Sequence, residues 1–194
     1  MGRPAPTRVP RPILPSLPFL KRPSSQAYNE ILALEFLHVS NRKASILNCA
    51  VVGPDICPYF HVVTRPGHTF IRTNEGRGVA SVEWVPNGGG AYVELKNESL
   101  EKQLVSVWLV VSPDASYRLM HAHGQTYVWV PQSLSICLYE WDPRAREDVP
   151  QLLARIAKED NVVTLQISPA AIEAGLLEMC VVCVVLFQSG YRID

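Results

Sequence analysis

Two histidines stand at a spacing that could begin a metal site. His121 and His123 would place both imidazoles on one face of a β-strand, because side chains alternate along a strand with a period of two. A carboxylate shortly after them would extend the ligand set, but Tyr127 and Val128 occupy those positions. A metal-dependent, cupin-like β-barrel enzyme using His121 and His123 is therefore the alternative hypothesis, and the leading prediction has no metal and no cofactor.

Two cysteines form a Cys-x-x-Cys pair at Cys180 and Cys183. A redox pair of this kind normally opens a helix, where the helix dipole lowers the thiol pKa, and a zinc site needs two further ligands. Here the pair lies in the middle of LLEMCVVCVVLF, residues 176–187. Both cysteines are predicted to be small apolar core residues.

Four basic residues surround one predicted hairpin and could bind an anionic headgroup. They are Arg65, His68, Arg72 and Arg77. Each Arg or Lys near a membrane surface contributes about 1 kcal/mol toward anionic lipid, so four such groups form a weak site. Glu75 and Glu83 are interspersed among them, which favours a solvated hairpin as the competing interpretation.

Local catalytic motifs are missing from the sequence. It contains no G-x-S-x-G, no glycine-rich phosphate loop opening a helix and no H-E-x-x-H. A non-enzymatic binding module is therefore predicted, although an active site assembled from distant residues would leave no such motif.

Charge is distributed unevenly along a chain of zero net charge. Residues 1–29 hold five basic groups and no acid, which leaves 13 of the 18 basic residues against all 18 acidic ones, a net charge of −5. An acidic body is a poor partner for nucleic acid, so none is predicted. Five cysteines without dense spacing indicate an intracellular, cytoplasmic setting.

The first 27 residues are predicted to be a disordered, basic tail. Seven prolines occur in the first 23 residues, a density that favours polyproline II over helix or sheet. Pro12, Pro15 and Pro18 interrupt any signal-peptide core and create two overlapping P-x-x-P steps. Whether this tail has a partner of its own stays open.

From residue 28 onward, the pattern predicts one mainly-β domain that ends in a helix. About a dozen short runs with strand periodicity alternate with turn residues, as in a barrel or sandwich. QLLARIA, residues 151–157, fits either a strand or a short helix. Ser168-Pro169 then begins a helix expected to end near residue 189.

That helix is too short to cross a membrane. Residues 176–187 would span about 18 Å as a helix, against a hydrocarbon thickness of about 30 Å. A helix that is apolar on every side belongs inside a core, here the interior of the strand layer. The predicted core positions are Leu176, Leu177, Met179, Cys180, Val182, Cys183, Val185 and Leu186.

Three stretches carry a resemblance to a known group of proteins. They are HTFIRTNEGRGVASVEWV (68–85), SYRLMHAHGQTYVWVP (116–131) and TLQISPAAIEAGLLEMCVVCVVLF (164–187). The chain resembles an uncharacterised domain family of mushroom-forming fungi that is thought to share the fold of tubby-like proteins, LURP-one-related proteins and phospholipid scramblases.

The resemblance implies a closed barrel of about twelve strands around a buried C-terminal helix at about 169–189. Binding of anionic headgroups is the function for which tubby proteins are known, but the fungal family has no function to carry over. The predicted binding module therefore rests on the buried helix, the acidic body and the missing catalytic motifs, and its ligand is either a phospholipid headgroup, with peripheral membrane association, or a protein partner. The basic hairpin would then be the headgroup site.

Overall fold

The computed structural model describes residues 31–38, 45–86, 89–96, 100–141 and 150–194. The predicted disordered tail at residues 1–27, with its P-x-x-P steps, lies outside these residues. Thirteen strands and three short helices make up the described part of the chain. The strands are β1 (Leu32–His38), β2 (Cys49–Val52), β3 (Pro58–Arg65), β4 (His68–Thr73), β5 (Gly78–Trp84), β6 (Ala91–Leu95), β7 (Gln103–Leu104), β8 (Leu109–Val111), β9 (Arg118–Ala122), β10 (Gln125–Gln132), β11 (Ser135–Glu140), β12 (Leu152–Glu159) and β13 (Val162–Ile167). The helices are α1 (Val105–Trp108), α2 (Pro169–Glu173) and α3 (Leu177–Gln188).

The strands form because apolar residues alternate with polar ones and turn residues separate the runs. In β6 the first, third and fifth residues are buried, while the two between them are half-buried. Two of the hairpins close through residue pairs with positive φ, His123-Gly124 and Asp160-Asn161, which is the pattern of a tight two-residue turn. QLLARIA lies in a strand, since β12 covers most of it.

All thirteen strands belong to one antiparallel sheet. Each strand from β1 to β7 and from β8 to β13 pairs with its neighbour in sequence, and β13 also pairs with β1. The sheet therefore has two edges, β7 and β8, which are joined by α1. Within the described residues no strand ladder connects these edges, so the mainly-β prediction is confirmed while closure of the sheet by hydrogen bonds is not.

One stretch with the residue pattern of a strand is interrupted by a helical turn. Residues 104–112 have a continuous β-forming pattern, but α1 separates β7 from β8 within that stretch. The physical reason is tertiary: Val105 and Trp108 of α1 are both buried in the main core. Burial of these two side chains overrides the local preference of valine for strands.

The predicted C-terminal helix is also interrupted. The Ser168 side chain accepts a hydrogen bond from the Ala171 amide and caps α2, as expected. The chain then turns at Gly175, which has a φ of 74°, before α3 begins. A Cβ at this position would lie 3.2 Å from the His123 imidazole, so the turn needs a residue without a side chain.

The core surrounds α3. Every residue from Met179 to Leu186 is buried, and Leu176 is buried as well, whereas Leu177 is half-buried against the same cluster. Strand residues such as Leu34, Ile71 and Leu165 belong to this cluster. None of the described helices has both the length and the apolar character needed to span a membrane.

Candidate functional site

A cleft of about 500 Å³ opens at the end of the sheet where α3 finishes. Three parts of the chain line it: the β3–β4 turn, the segment that follows β5, and the residues after α3. The lining residues are Thr64, Arg65, Pro66, Gly67, Trp84, Val85, Pro86, Gly90, Tyr191 and Arg192. The β3–β4 register of Arg65 with His68 leaves only Pro66 and Gly67 in the turn, which places Arg65 at the edge of the cleft.

Two exposed arginines, Arg65 and Arg192, therefore line one cleft. Neither Arg65 nor Arg192 forms a salt bridge with a carboxylate in the described part of the chain, in contrast to Arg77 and Arg118. Guanidinium groups match phosphate and carboxylate oxygens through paired N–H donors. The cleft is thus chemically suited to an anion.

An aromatic pair forms one wall of the cleft. The Trp84 and Tyr191 rings stack with their centroids 4.7 Å apart and their planes 22° from parallel. Trp84 is buried, whereas Tyr191 is 53% exposed. One face of this stack can therefore contact the apolar or ring portion of a ligand.

A chain of hydrogen bonds fixes Trp84 from inside. Its indole N–H donates to the Thr69 hydroxyl at 2.9 Å, and the Thr69 and Thr64 hydroxyl oxygens are 2.8 Å apart. Thr64 then donates to the Leu47 carbonyl at 2.6 Å, so Thr69 must donate to Thr64. Thr69 is fully buried, and its hydroxyl both accepts one hydrogen bond and donates another. These two bonds fix the orientation of the indole toward the cleft.

The segment after α3 is held in place by a charged pair. The Arg118 guanidinium donates to both carboxylate oxygens of Asp194, at 2.8 and 2.5 Å. This arrangement lowers the pKa of Asp194 below its ordinary value, chiefly through the hydrogen bonds from Arg118. Gly90, with a φ of 90°, faces the Asp194 backbone so closely that a Cβ would approach it to 3.3 Å.

The structure does not bring all four predicted headgroup residues into one site, although Arg65 and His68 pair across the β3–β4 hairpin. Arg65 lies in the cleft, and His68 lines a second hollow on the outer face of β4 to β6, where it is 3.8 Å from Glu83. Arg72 is exposed on the outer face of β4, toward the opposite end of that strand. Arg77 is at that opposite end and donates to Glu178 of α3 at 2.6 Å. The structure instead places Arg65 and Arg192 in the lining of one cleft.

The second hollow carries both signs of charge. Glu83 forms a salt bridge with Lys102, and Glu94 lies 2.8 Å from Lys96. The neighbouring Lys102 ammonium lowers the pKa of Glu83 through its hydrogen bond. Because the carboxylates and ammonium groups pair with one another, this hollow has a weaker case for an anion than the cleft.

The two histidines considered as metal ligands have different environments. His121 is exposed on β9 with its Nδ1 3.1 Å from the Thr126 hydroxyl. His123 lies beyond the end of that strand, in the turn with a φ of 50°, and its imidazole faces Gly175. Across the described residues, no group of three or more His, Cys, Asp or Glu side chains could hold a metal ion.

The cysteines of α3 are enclosed by the core. Cys180 and Cys183 are both free thiols with no exposed surface, and burial raises the pKa of each. The Cys183 sulfur lies 3.9 Å from the sulfur of Met120. A thiol held protonated in such surroundings is a poor nucleophile and a poor metal ligand.

Sequence reasoning missed Tyr191 and Arg192. They follow the last helix, far in sequence from Arg65, and no local motif surrounds them. The sequence did mark one part of the cleft, because the strand that contains Trp84 ends directly before a glycine-rich stretch. Only the fold brings Gly90 of that stretch close to the residues that follow α3.

Comparison with known proteins gives little beyond the family. No curated protein matches the chain. A protein from Arabidopsis thaliana of known X-ray structure is similar at 10% identity, with a TM-score of 0.41, over 78% of this chain and 90% of that chain. A likeness at this level supports no inference about fold or function. Residues 44–192 match the family described as "Family of unknown function (DUF6593)", and the match covers most of the sequence. The chain is therefore a member of this family, DUF6593.

Proposed function

We propose that the protein is a non-enzymatic binding module whose cleft holds the phosphate-bearing headgroup of an anionic phospholipid. The observation that carries the proposal is that Arg65 and Arg192 line the same cleft, both without a salt bridge to a described carboxylate. A phosphate between two guanidinium groups receives charge-assisted hydrogen bonds, which are about twice as strong as neutral ones.

The rim of the cleft is compatible with a membrane surface. Tyr191 is half-exposed beside the two arginines, and Pro66, Val85 and Pro86 add apolar surface. An aromatic ring with a polar end suits the boundary between headgroups and acyl chains. A peripheral, intracellular membrane association follows from this proposal.

A tubby-like architecture belongs to the same proposal. The strands follow one another in a cyclic order, with β13 beside β1, and α1 joins the two remaining edges. The enclosed α3 supports a barrel whose wall is completed by side chains of α1 rather than by a strand ladder. We also propose that the chain is related to the uncharacterised domain family of mushroom-forming fungi.

Vesicle binding tests the headgroup site. The full chain is mixed with phosphatidylcholine vesicles, with or without about a tenth of phosphatidylinositol phosphate, and the bound fraction is measured by flotation. We expect binding only to the anionic vesicles, and Arg65→Ala or Arg192→Ala should weaken it about tenfold, equivalent to about 1.4 kcal/mol.

Arg72→Ala is the matched control, because it removes the same charge from the outer face of β4, away from the cleft. It should leave the affinity nearly unchanged. Equal losses for all three variants would indicate attraction by general charge and would contradict a specific cleft. No binding of the wild-type chain to anionic vesicles would also contradict the proposal and would direct the search to a protein partner.

A further inference from the structure

A second apolar cluster lies on the outer face of the sheet, separate from the core around α3. Val128, Cys137 and Tyr139 are its buried members, and Tyr117, Leu119, Val130 and Leu152 pack against them half-buried. Strands β9 to β12 carry these residues on the side away from the main core. Because Val128, Cys137 and Tyr139 are at most 6% exposed, the accessible apolar surface of this cluster is that of its half-buried members.

Two aromatic rings extend this cluster. Tyr117 precedes β9 and Trp141 follows β11, and β10 lies between those strands. The two rings nevertheless stack, with centroids 5.9 Å apart and planes 26° from parallel, so they meet over β10. Trp141 is 42% exposed, and the other three tryptophans are almost fully buried. We call the surface formed by Tyr117, Leu119, Val130 and Trp141 the outer aromatic patch.

The start of β1 is close to this patch. Leu32 pairs with Ile167, Ile167 with Ala154, and Ala154 with Leu138, so the four residues form one row across the sheet. Leu32 is thus three strand spacings, about 14 Å, from β11. The start of β1 and the last residues of β11 lie at the same end of the sheet, and Trp141 directly follows β11. Residues 19–30 would span about 37 Å as polyproline II, which is ample to reach the patch.

The composition of residues 1–29 fits such a surface. Pro12, Pro15 and Pro18 would lie on one side of a polyproline II helix, because such a helix has three residues per turn, and leucines stand between them in the sequence. Surfaces lined with Trp and Tyr bind such segments, whose conformation is already restricted. The segment carries five basic groups and no acid, while the rest of the chain has a net charge of −5. Tethering also keeps the segment near the patch at an effective concentration in the millimolar range.

We infer that the proline-rich segment at residues 12–18 of this same chain docks on the outer aromatic patch. The prolines and leucines of PILPSLP contact the Tyr117 and Trp141 rings, and the basic groups on either side face the acidic body. The site is distinct from the cleft at Arg65 and Arg192 and does not depend on its function.

Tryptophan fluorescence of the full chain tests this assignment. Because Trp84, Trp108 and Trp129 are at most 6% exposed, quenching by acrylamide reports mainly on Trp141. Replacing Pro12, Pro15 and Pro18 by Ala should release the segment and raise the quenching constant by about twofold or more, since a tethered ligand is otherwise bound most of the time. The matched control replaces Pro4, Pro6 and Pro10 by Ala, the same number of prolines in the same tail, and should quench like the wild type. The variant Trp141→Phe checks that the signal belongs to Trp141.

Each other outcome overturns the inference. Equal quenching in all three proteins would mean that the segment does not cover Trp141. An equal rise in both proline variants would assign the effect to the tail as a whole and not to residues 12–18. Protection that increases with protein concentration would identify a second copy of the chain as the occupant.

Discussion

At the scale of single residues, Thr69 is the polar group on which the cleft depends. It is fully buried, accepts the indole N–H of Trp84 and donates to Thr64. Replacing Thr69 by Val keeps the shape but leaves the indole N–H and the Thr64 oxygen each without one partner. An unsatisfied buried polar group costs about 1–3 kcal/mol. We expect Thr69→Val to lower the free energy of unfolding by that amount, measured by urea denaturation.

Thr164→Val provides the comparison, because Thr164 is a half-buried strand residue whose side chain alternates away from the buried positions of β13. Its stability should change by less than about 0.5 kcal/mol. If Thr69→Val were as stable as Thr164→Val, the hydrogen-bond chain would not be what orients Trp84.

The residue scale also shows how much of the site was predictable. Arg65 was among the predicted residues because it lies at one predicted hairpin, which is a local pattern. Arg192 was not, because its place in the cleft depends on where α3 ends relative to the β3–β4 turn. Arg77, which was grouped with Arg65, lies at the other end of the six-residue strand β4.

At the scale of elements, α3 is the helix that the main core encloses. Val182 has no exposed surface and is surrounded by the main core. An ionised carboxylate there would lose its hydration without gaining a partner, at a cost of several kcal/mol. That cost is comparable to the whole stability of a typical domain, about 5–15 kcal/mol. We therefore expect Val182→Asp to prevent soluble expression.

Ile172→Asp makes the same chemical change on α2, where the side chain is 38% exposed. It should remain soluble, with a melting temperature within a few degrees of the wild type. A soluble Val182→Asp protein with an unchanged melting temperature, measured by circular dichroism, would show that α3 is not enclosed.

Strands were easier to predict than helix boundaries. Alternation of apolar and polar residues is a local property, so about a dozen strands were predicted and the described residues contain thirteen. The helical turn at Val105–Trp108 depends on the burial of Trp108 among distant residues. That contact is one that a single stretch of sequence does not reveal. The break at Gly175 has a local cause, since Gly175 has a φ of 74° and its amide and that of Leu176 donate to the Ile172 and Ala171 carbonyls, a glycine ending of a helix.

At the scale of the whole molecule, the pairing of β1 with β13 brings the first and last described strands side by side. That pairing is long-range and carries no turn signal, so the sequence predicted a barrel or a sandwich without specifying which strands meet. Its consequence is that the free edges of the sheet are not β1 and β13 but β7 and β8, in the middle of the chain.

Hydrogen exchange can detect this location of the edges. β7 and β8 have two and three residues and each pairs on one side only, whereas β4 and β12 pair on both sides. Backbone amides at an edge open with a lower free energy than those in central strands. In exchange measured by mass spectrometry, we expect peptides covering residues 103–111 to exchange faster than peptides covering β4 or β12. Equal protection of all three regions would mean that the edges are joined by hydrogen bonds in solution, and the sheet would then be a closed barrel. A third pattern is slow exchange at residues 105–108 with fast exchange in β7 and β8. It would indicate that α1 alone fills the space between the two edges, because the buried Val105 and Trp108 protect that turn while both edge strands open.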